Sequence, residues 1–202
     1  MAAKKTRIDT GVSGDDTTLE IKTEFMVMTM NENYAGIFGN YLNETEAYCW
    51  RCILPKLETY PNNDALYVTL GNAAASGSNG STKLIRPLGT GNSIINQKVY
   101  VDMTYGNCYY RSSSNSGSVS NTTKTCNANT RNIAIGAIHP TSTSYTSSIR
   151  YYSFKMYSHN RMVRNYVPVV RKSDSKPGFY DTINHTFNPS IGTEDFVAGN
   201  DT

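Results

Sequence analysis

The residues with chemical potential are scattered, and the carboxylates come first. Glu20 and Glu24 flank Lys22 in the run Leu19-Glu20-Ile21-Lys22-Thr23-Glu24-Phe25. Two carboxyl groups on one face are what glycosidic-bond hydrolysis uses as acid and base, about 5 Å apart for retention and somewhat further for inversion. Residues four apart on a regular strand have Cα atoms about 13 Å apart, and Lys22 would neutralise both acids instead of tuning them. The run therefore reads as an outward Glu-Lys-Glu ladder. Cys49 and Cys52 have the two-residue gap of a zinc or redox pair. They lack a second such pair and a nearby histidine, and a strand would point the two thiols to opposite faces. A disulfide between Cys108 and Cys126 would close the base of the loop between them, although a cytoplasmic origin argues against it. His139, His159 and His185 lie in turns or at strand ends, outside any Ser/His/Asp or His-x-x-x-His context. Asp15-Asp16 and Asn62-Asn63-Asp64 are the oxygen-rich stretches that calcium would take, but loop Asp and Asn more often make turns. No other cofactor is expected. There is no phosphate-binding glycine loop and no nucleic-acid motif.

These residues sit in a chain that alternates like strands throughout. Of 202 residues, 11% are aromatic and only 17% charged, and Gly, Asn and Ser clusters interrupt the strand formers at short intervals. No helical stripe exceeds two turns. The net charge of +3 is spread along the chain, so it demands neither nucleic acid nor an anionic membrane. Met1-Ala2-Ala3-Lys4-Lys5 lacks the apolar core of a signal peptide, and no apolar run is long enough to span a bilayer. Synthesis in a cytoplasm is expected. In 19–25, Leu19, Ile21 and Phe25 face inward while Glu20, Lys22 and Glu24 face outward. Met26, Met28 and Met30 then occupy the outward face, so something should cover them. Residues 34–42, 46–54, 66–70, 83–86 and 94–104 read as further strands, with Val99, Val101 and Met103 alternating against Tyr100 and Asp102. Residues 73–82 read as a loop, and 112–125, nearly all Ser, Asn, Thr and Gly, as a long loop or a weak hairpin.

Near the C-terminus two alternating runs, 149–157 and 161–171, flank Ser158-His159-Asn160, the pattern of a long β-hairpin. Tyr152, Phe154 and Met156 share one face by alternation, and Tyr151, Ser153, Lys155 and Tyr157 the other. Pro168 suits a strand end or an edge. The segment YSFKMYSHNRMVRNYVPVVRKSDSKPGFYDTINHTFNPSIGT resembles the closing part of laminin-G-like, concanavalin A-like jelly-roll domains, which occur in gut-bacterial surface proteins and in virion proteins of their phages. Ile8-Asp9-Thr10-Gly11 is similar to the opening strand of that domain, and Ile37-Phe38-Gly39 to an early core strand. The resemblance implies an all-β antiparallel sandwich of two face-to-face sheets with little helix. It would follow a flexible arm at 1–6 and fill residues 7–202 as one domain, with first and last strands paired. The matching residues are structural, so the resemblance specifies fold and not function.

Such folds also host glycosidases, whose E-x-D-x-E signature is met here only by Glu20-Ile21-Lys22-Thr23-Glu24, with Lys22 at the central Asp position. The expectation is therefore a protein that is not an enzyme. A glycan-binding surface remains: aromatic faces stack on sugars while amides and hydroxyls meet their OH groups. Tyr105, Tyr109, Tyr110, Tyr145 and Tyr151, set among Asn and Ser/Thr loops, would supply both. The first functional expectation is a structural or adhesive phage virion protein in the head decoration, head fibre or tail. It would assemble with other virion proteins and with copies of itself through edge strands, the arm or the methionine stripe, and would bind host or mucin glycans. The alternative is a carbohydrate-binding module of a bacterial surface or secreted protein; a glycoside hydrolase comes third.

Overall fold

The computed structural model describes residues 6–30, 35–40, 50–54, 62–70, 82–121, 131–137, 147–192 and 195–198. Fourteen strands form two antiparallel sheets, and no helix occurs among the described residues. The six-stranded sheet runs β1 (Ile8–Ser13), β10 (Asn132–Ile135), β3 (Ala35–Gly39), β4 (Trp50–Leu54), β5 (Leu66–Leu70), β6 (Thr82–Ile85). The eight-stranded sheet runs β14 (Thr186–Asn188), β13 (Lys176–Asp181), β12 (Arg161–Arg171), β11 (Ser147–Ser158), β2 (Glu20–Met30), β7 (Lys98–Thr104), β8 (Asn107–Arg111), β9 (Ser116–Ser120). This is the expected all-β sandwich of the jelly-roll kind. The loop-or-hairpin alternative at 112–125 resolves in part: β9 pairs with β8 as a hairpin, and 122–125 lie outside the described residues.

Alternation decides which face each residue takes. In β2, Ile21, Thr23, Phe25 and Val27 are buried; Val99, Val101 and Met103 line up beside them on β7. Against these the other sheet sets Ile37, Phe38, Trp50, Leu54, Leu66 and Val68, in one apolar cluster. Phe38 and Phe154 meet edge-to-face across the sheets, centroids 5.6 Å apart, a geometry that aromatic quadrupoles favour. Trp50 is fully buried, and its indole N–H donates to the Gly14 carbonyl at 3.0 Å, so the one polar atom of the largest core side chain is satisfied. On the opposite flank Arg164 Nε donates to the Thr10 carbonyl at 3.0 Å and lies 3.6 Å from Asp181, tying β12 and β13 to β1.

The hairpin of β11 and β12 turns on His159 and Asn160, both with positive φ, 49° and 60°. Such a two-residue turn matches the twist of the flanking strands. One expectation about this hairpin is overturned. The pairing of β11 with β2 slips between Tyr151 and Ser153, and this bulge reverses the parity of the preceding residues. Tyr151 therefore stands opposite inward Phe25, while Tyr152 lies against Met26 on the outer face. Pro168 is not on an edge strand, since β12 lies between β11 and β13. It sits beyond Tyr166, the last residue of β12 paired with β11, where β12 keeps only β13 as neighbour. First and last strands do not pair either: β1 and β14 are in different sheets. The chain after β14 instead returns to the residue before β1, where Ile191 N–H donates to the Arg7 carbonyl at 2.9 Å. Of the expected arm, only Thr6 is among the described residues.

Candidate functional site

Because one face of the eight-stranded sheet is spent on the core, its other face collects every outward residue of β11, β2, β7, β8 and β9 in register. One row runs Tyr157, Glu20, Thr104, Asn107, Ser120; the next runs Lys155, Lys22, Asp102, Tyr109, Ser118; a third runs Ser153, Glu24, Tyr100, Arg111, Ser116. Arg150, Met26 and Lys98 form a fourth, with Tyr152 beside it. Adjacent strands lie about 4.8 Å apart, so the five strands span roughly 19 Å. Tyr152 also answers the question of what covers the methionine stripe at Met26, since its hydroxyl lies 4.0 Å from the Met26 sulfur.

The charges on this face are interlocked. Lys22 Nζ stands 3.1 Å from Glu20 and 3.6 Å from Asp102, and Lys98 stands 3.6 Å from Glu24. Three cations lie over aromatic rings: Lys98 over Tyr152 at 4.1 Å, Lys22 over Tyr157 at 5.1 Å and Arg111 over Tyr100 at 5.2 Å. The Tyr100 hydroxyl reaches Asp102 at 3.4 Å. Partial burial, followed by the negative charge of Glu20, pushes the Asp102 carboxyl above the ordinary carboxylate range, and Lys22 restrains that rise. The hydrogen bond to Glu20 is the main reason the Lys22 ammonium holds its proton more tightly than usual. Tyr100 is pushed up by burial and then by Asp102. Tyr109 is 41% exposed, edge-on to Tyr100 at 6.3 Å, and no cation lies over its ring among the described residues.

Beyond the first row a cavity of about 410 Å³ opens between Thr17, on the loop before β2, and Thr104, Tyr105, Gly106 and Asn107 at the β7–β8 turn. Tyr105 is almost buried, and its hydroxyl has no hydrogen-bond partner among the described residues; burial pushes its pKa up. The same end of the sheet brings together Asp16, Thr18, Ser158 and His159, a grouping that the sequence did not show. Ser158 Oγ donates to Asp16 at 2.5 Å and lies 3.0 Å from His159 Nδ1. The serine proton goes to the carboxylate and not to the imidazole, so the order of a nucleophile–base–acid relay is absent. This set pins the hairpin turn to the β1–β2 loop.

The five tyrosines expected to form a site are therefore not brought together. Tyr109 is on the open face. Tyr105 lines the cavity. Tyr110 packs inward on β8 against the core. Tyr151 points into the sandwich, where its hydroxyl donates to the Ile37 carbonyl of the opposite sheet at 2.6 Å and burial drives its pKa far up. Tyr145 lies outside the described residues. The face instead uses Tyr100, Tyr152 and Tyr157, and the alternation of Tyr100 and Asp102 with buried Val99, Val101 and Met103 was the signal for the first of these. Of the loops considered for calcium, Asp64 accepts Gly91 N–H at 2.7 Å and pairs with Arg86 at 3.4 Å, and Asp16 is engaged as above. Among the described residues no three His, Cys, Asp or Glu cluster as metal ligands do. Cys52 and Cys108 are buried free thiols; Cys49 and Cys126 lie outside the described residues.

No family model matches the chain, and no curated protein matches it. Among solved structures it is similar to a double-cysteine variant of alginate lyase A1-II′, at 13% identity and a TM-score of 0.38 over 74% of this chain and 66% of the other. It is also similar to alginate lyase A1-II′ itself, a member of polysaccharide lyase family 7, at 16% identity and a TM-score of 0.35 over 69% and 65%. The chain thus spans just under two thirds of the length of these lyases. The likeness bears on the sandwich fold and carries no substrate or activity to this chain. The solved structures found are those of enzymes, so the expectation that the chain is not an enzyme is withdrawn, and no activity takes its place. Glu24 is too far along β2 to pair with Glu20, but Asp102 on the adjacent strand is not, and one ammonium holds both carboxylates at 3.1 and 3.6 Å.

Proposed function

We propose that the outward face of the eight-stranded sheet is a carbohydrate-binding face, which takes a polysaccharide chain laid across β11, β2, β7 and β8. The observation that carries this reading is the register that sets Tyr157, Tyr152, Tyr100 and Tyr109 on one open face, with Thr104, Asn107, Ser118 and Ser120 between and beside them. Aromatic rings supply area for the apolar faces of sugars at small entropic cost, and flanking hydroxyls and amides meet the OH groups. Tyr109 is the natural anchor, since its ring is the most open of the four. Display of many copies on a phage particle or a bacterial surface, which the C-terminal resemblance implies, would suit such a face, because modest single-site affinity becomes tight binding through multivalency.

The test is affinity electrophoresis of the chain through gels containing plant, algal and mucin polysaccharides. We expect retardation in at least one, with Tyr109→Ala weakening it about tenfold, in line with the loss of one stacked ring. A wild-type shift in both Tyr109→Ala and Tyr152→Ala would remove this face from consideration. Mass spectrometry of particles from the source organism tests the virion placement separately.

A further inference from the structure

We infer that the polysaccharide taken by this face is acidic, bearing carboxylate or sulfate groups, and that Lys155, with Arg150 and Arg111, recognises its charge. The inference rests on the carbohydrate-binding reading of the same face. Lys155 on β11 stands directly opposite Lys22 on β2. Like charges directly opposite each other on a sheet destabilise it, so the arrangement costs the free protein something. The two lysines differ in what holds them. Lys22 is bound by Glu20 and Asp102. Lys155 has no ion pair, hydrogen bond or ring contact among the described residues. Arg150, opposite Met26, has no carboxylate partner there either, and Arg111 lies over Tyr100 without one.

Every carboxylate on the face is already neutralised, Glu20 and Asp102 by Lys22 and Glu24 by Lys98. Lys22, Lys98, Lys155, Arg111 and Arg150 stand against Glu20, Glu24 and Asp102, which leaves an excess of two cations on one face of a chain with net charge +3. Lys155 and Arg111 are three strand spacings apart, roughly 14 Å, so they would engage separate acid groups along one polymer. A single small anion would not reach both.

The test uses the full chain in affinity gels containing polygalacturonate, dextran sulfate, neutral dextran or hydroxyethylcellulose, at low and moderate salt. The first two separate carboxylate from sulfate as the recognised group. We expect retardation by an acidic polymer that weakens as salt rises, with Lys155→Gln and Arg111→Gln each weakening it roughly three- to tenfold. Lys172→Gln, in the exposed turn after β12, should leave it unchanged. Lys155→Gln should also melt no lower than wild type, because it relieves a like-charge pair; a residue that served only the fold would move the other way. Retardation by the neutral polymers alone would overturn the charge inference and leave the carbohydrate-binding face standing. An equal loss in Lys172→Gln would mean attraction by net charge and would also overturn it. Retardation by none of the four polymers would count against both.

Discussion

Removing Lys22 probes the charge lock at the centre of the open face. Lys22 Nζ lies 3.1 Å from Glu20 and 3.6 Å from Asp102, with all three side chains a quarter to a third exposed. After screening by solvent, each contact is worth about 0.5 to 1 kcal/mol. Relief of the repulsion from Lys155 returns a few tenths of that, roughly. Lys22→Met should therefore lower stability by about 1 kcal/mol at pH 7.5, which for a chain of this size is a fall in Tm of about 2 to 4 °C. The pH dependence is sharper than the magnitude. In the folded protein Asp102 already sits above the ordinary carboxylate value, chiefly through burial and then Glu20, while Lys22 pulls it down. Without Lys22 it rises further. A carboxyl raised on folding contributes stability that is complete below its unfolded pKa and lost as pH climbs through its folded one. The deficit of the variant should therefore be small near pH 4 and open up toward neutrality. Thermal melts of both proteins at pH 4 and 7.5, at one ionic strength, measure this. A deficit equal at the two pH values, or larger in acid, would refute the reasoning that Lys22 offsets two crowded carboxylates.

Other expectations follow from single contacts. Tyr151→Phe removes the 2.6 Å bond to the Ile37 carbonyl, but Gly136 N–H also donates to that oxygen at 2.9 Å. The loss should be near 1 kcal/mol by urea denaturation, with glycan retention unchanged because the side chain lies inside the sandwich. Gly178→Ala would set a Cβ 2.6 Å from Phe187 Cζ and 2.7 Å from the Asn188 carbonyl oxygen. The second contact is backbone and cannot rotate away, so β14 must shift, and a loss of about 1 to 3 kcal/mol is expected. The Cys108 thiol is pushed up to about 12 by burial, then by Asp102. Peptide mapping should find it unlabelled by iodoacetamide at pH 8 in the native protein and labelled once denatured; labelling in both states would show that the face opens.

The sandwich was legible because it is written in alternation, and alternation is local. Leu19 to Phe25 and Val99 to Met103 name their buried faces without knowing each other. The hairpin at His159-Asn160 declares itself by two strand-like runs around a short polar turn. What alternation cannot give is the place where it breaks. The bulge at Tyr151 to Ser153 costs nothing in composition, yet it carries Tyr151 inside and puts Tyr152 on the open face. Nor can alternation give cross-strand register. Glu20 looked for its acid partner along its own strand and found only Glu24, while Asp102 arrives from β7 through a pairing fixed by the packing of both strands on the core. Tyr109 stands in the sequence as one of five candidate rings, but the rings beside it come from two other strands, Tyr100 from β7 and Tyr152 and Tyr157 from β11. The site is a property of the sheet, and no window of sequence contains it.

The most direct measurement is NMR of the chain labelled with carbon-13 in its tyrosine rings, titrated with pooled oligosaccharides from partial hydrolysis of acidic and neutral polysaccharides. The account predicts that the ring signals of Tyr100, Tyr109, Tyr152 and Tyr157 move together and saturate, while those of Tyr151 and Tyr166 inside the sandwich stay still. Saturating shifts confined to other tyrosines, such as Tyr67 on the six-stranded sheet, or no shift at all, would contradict the claim that the open face of the eight-stranded sheet binds carbohydrate.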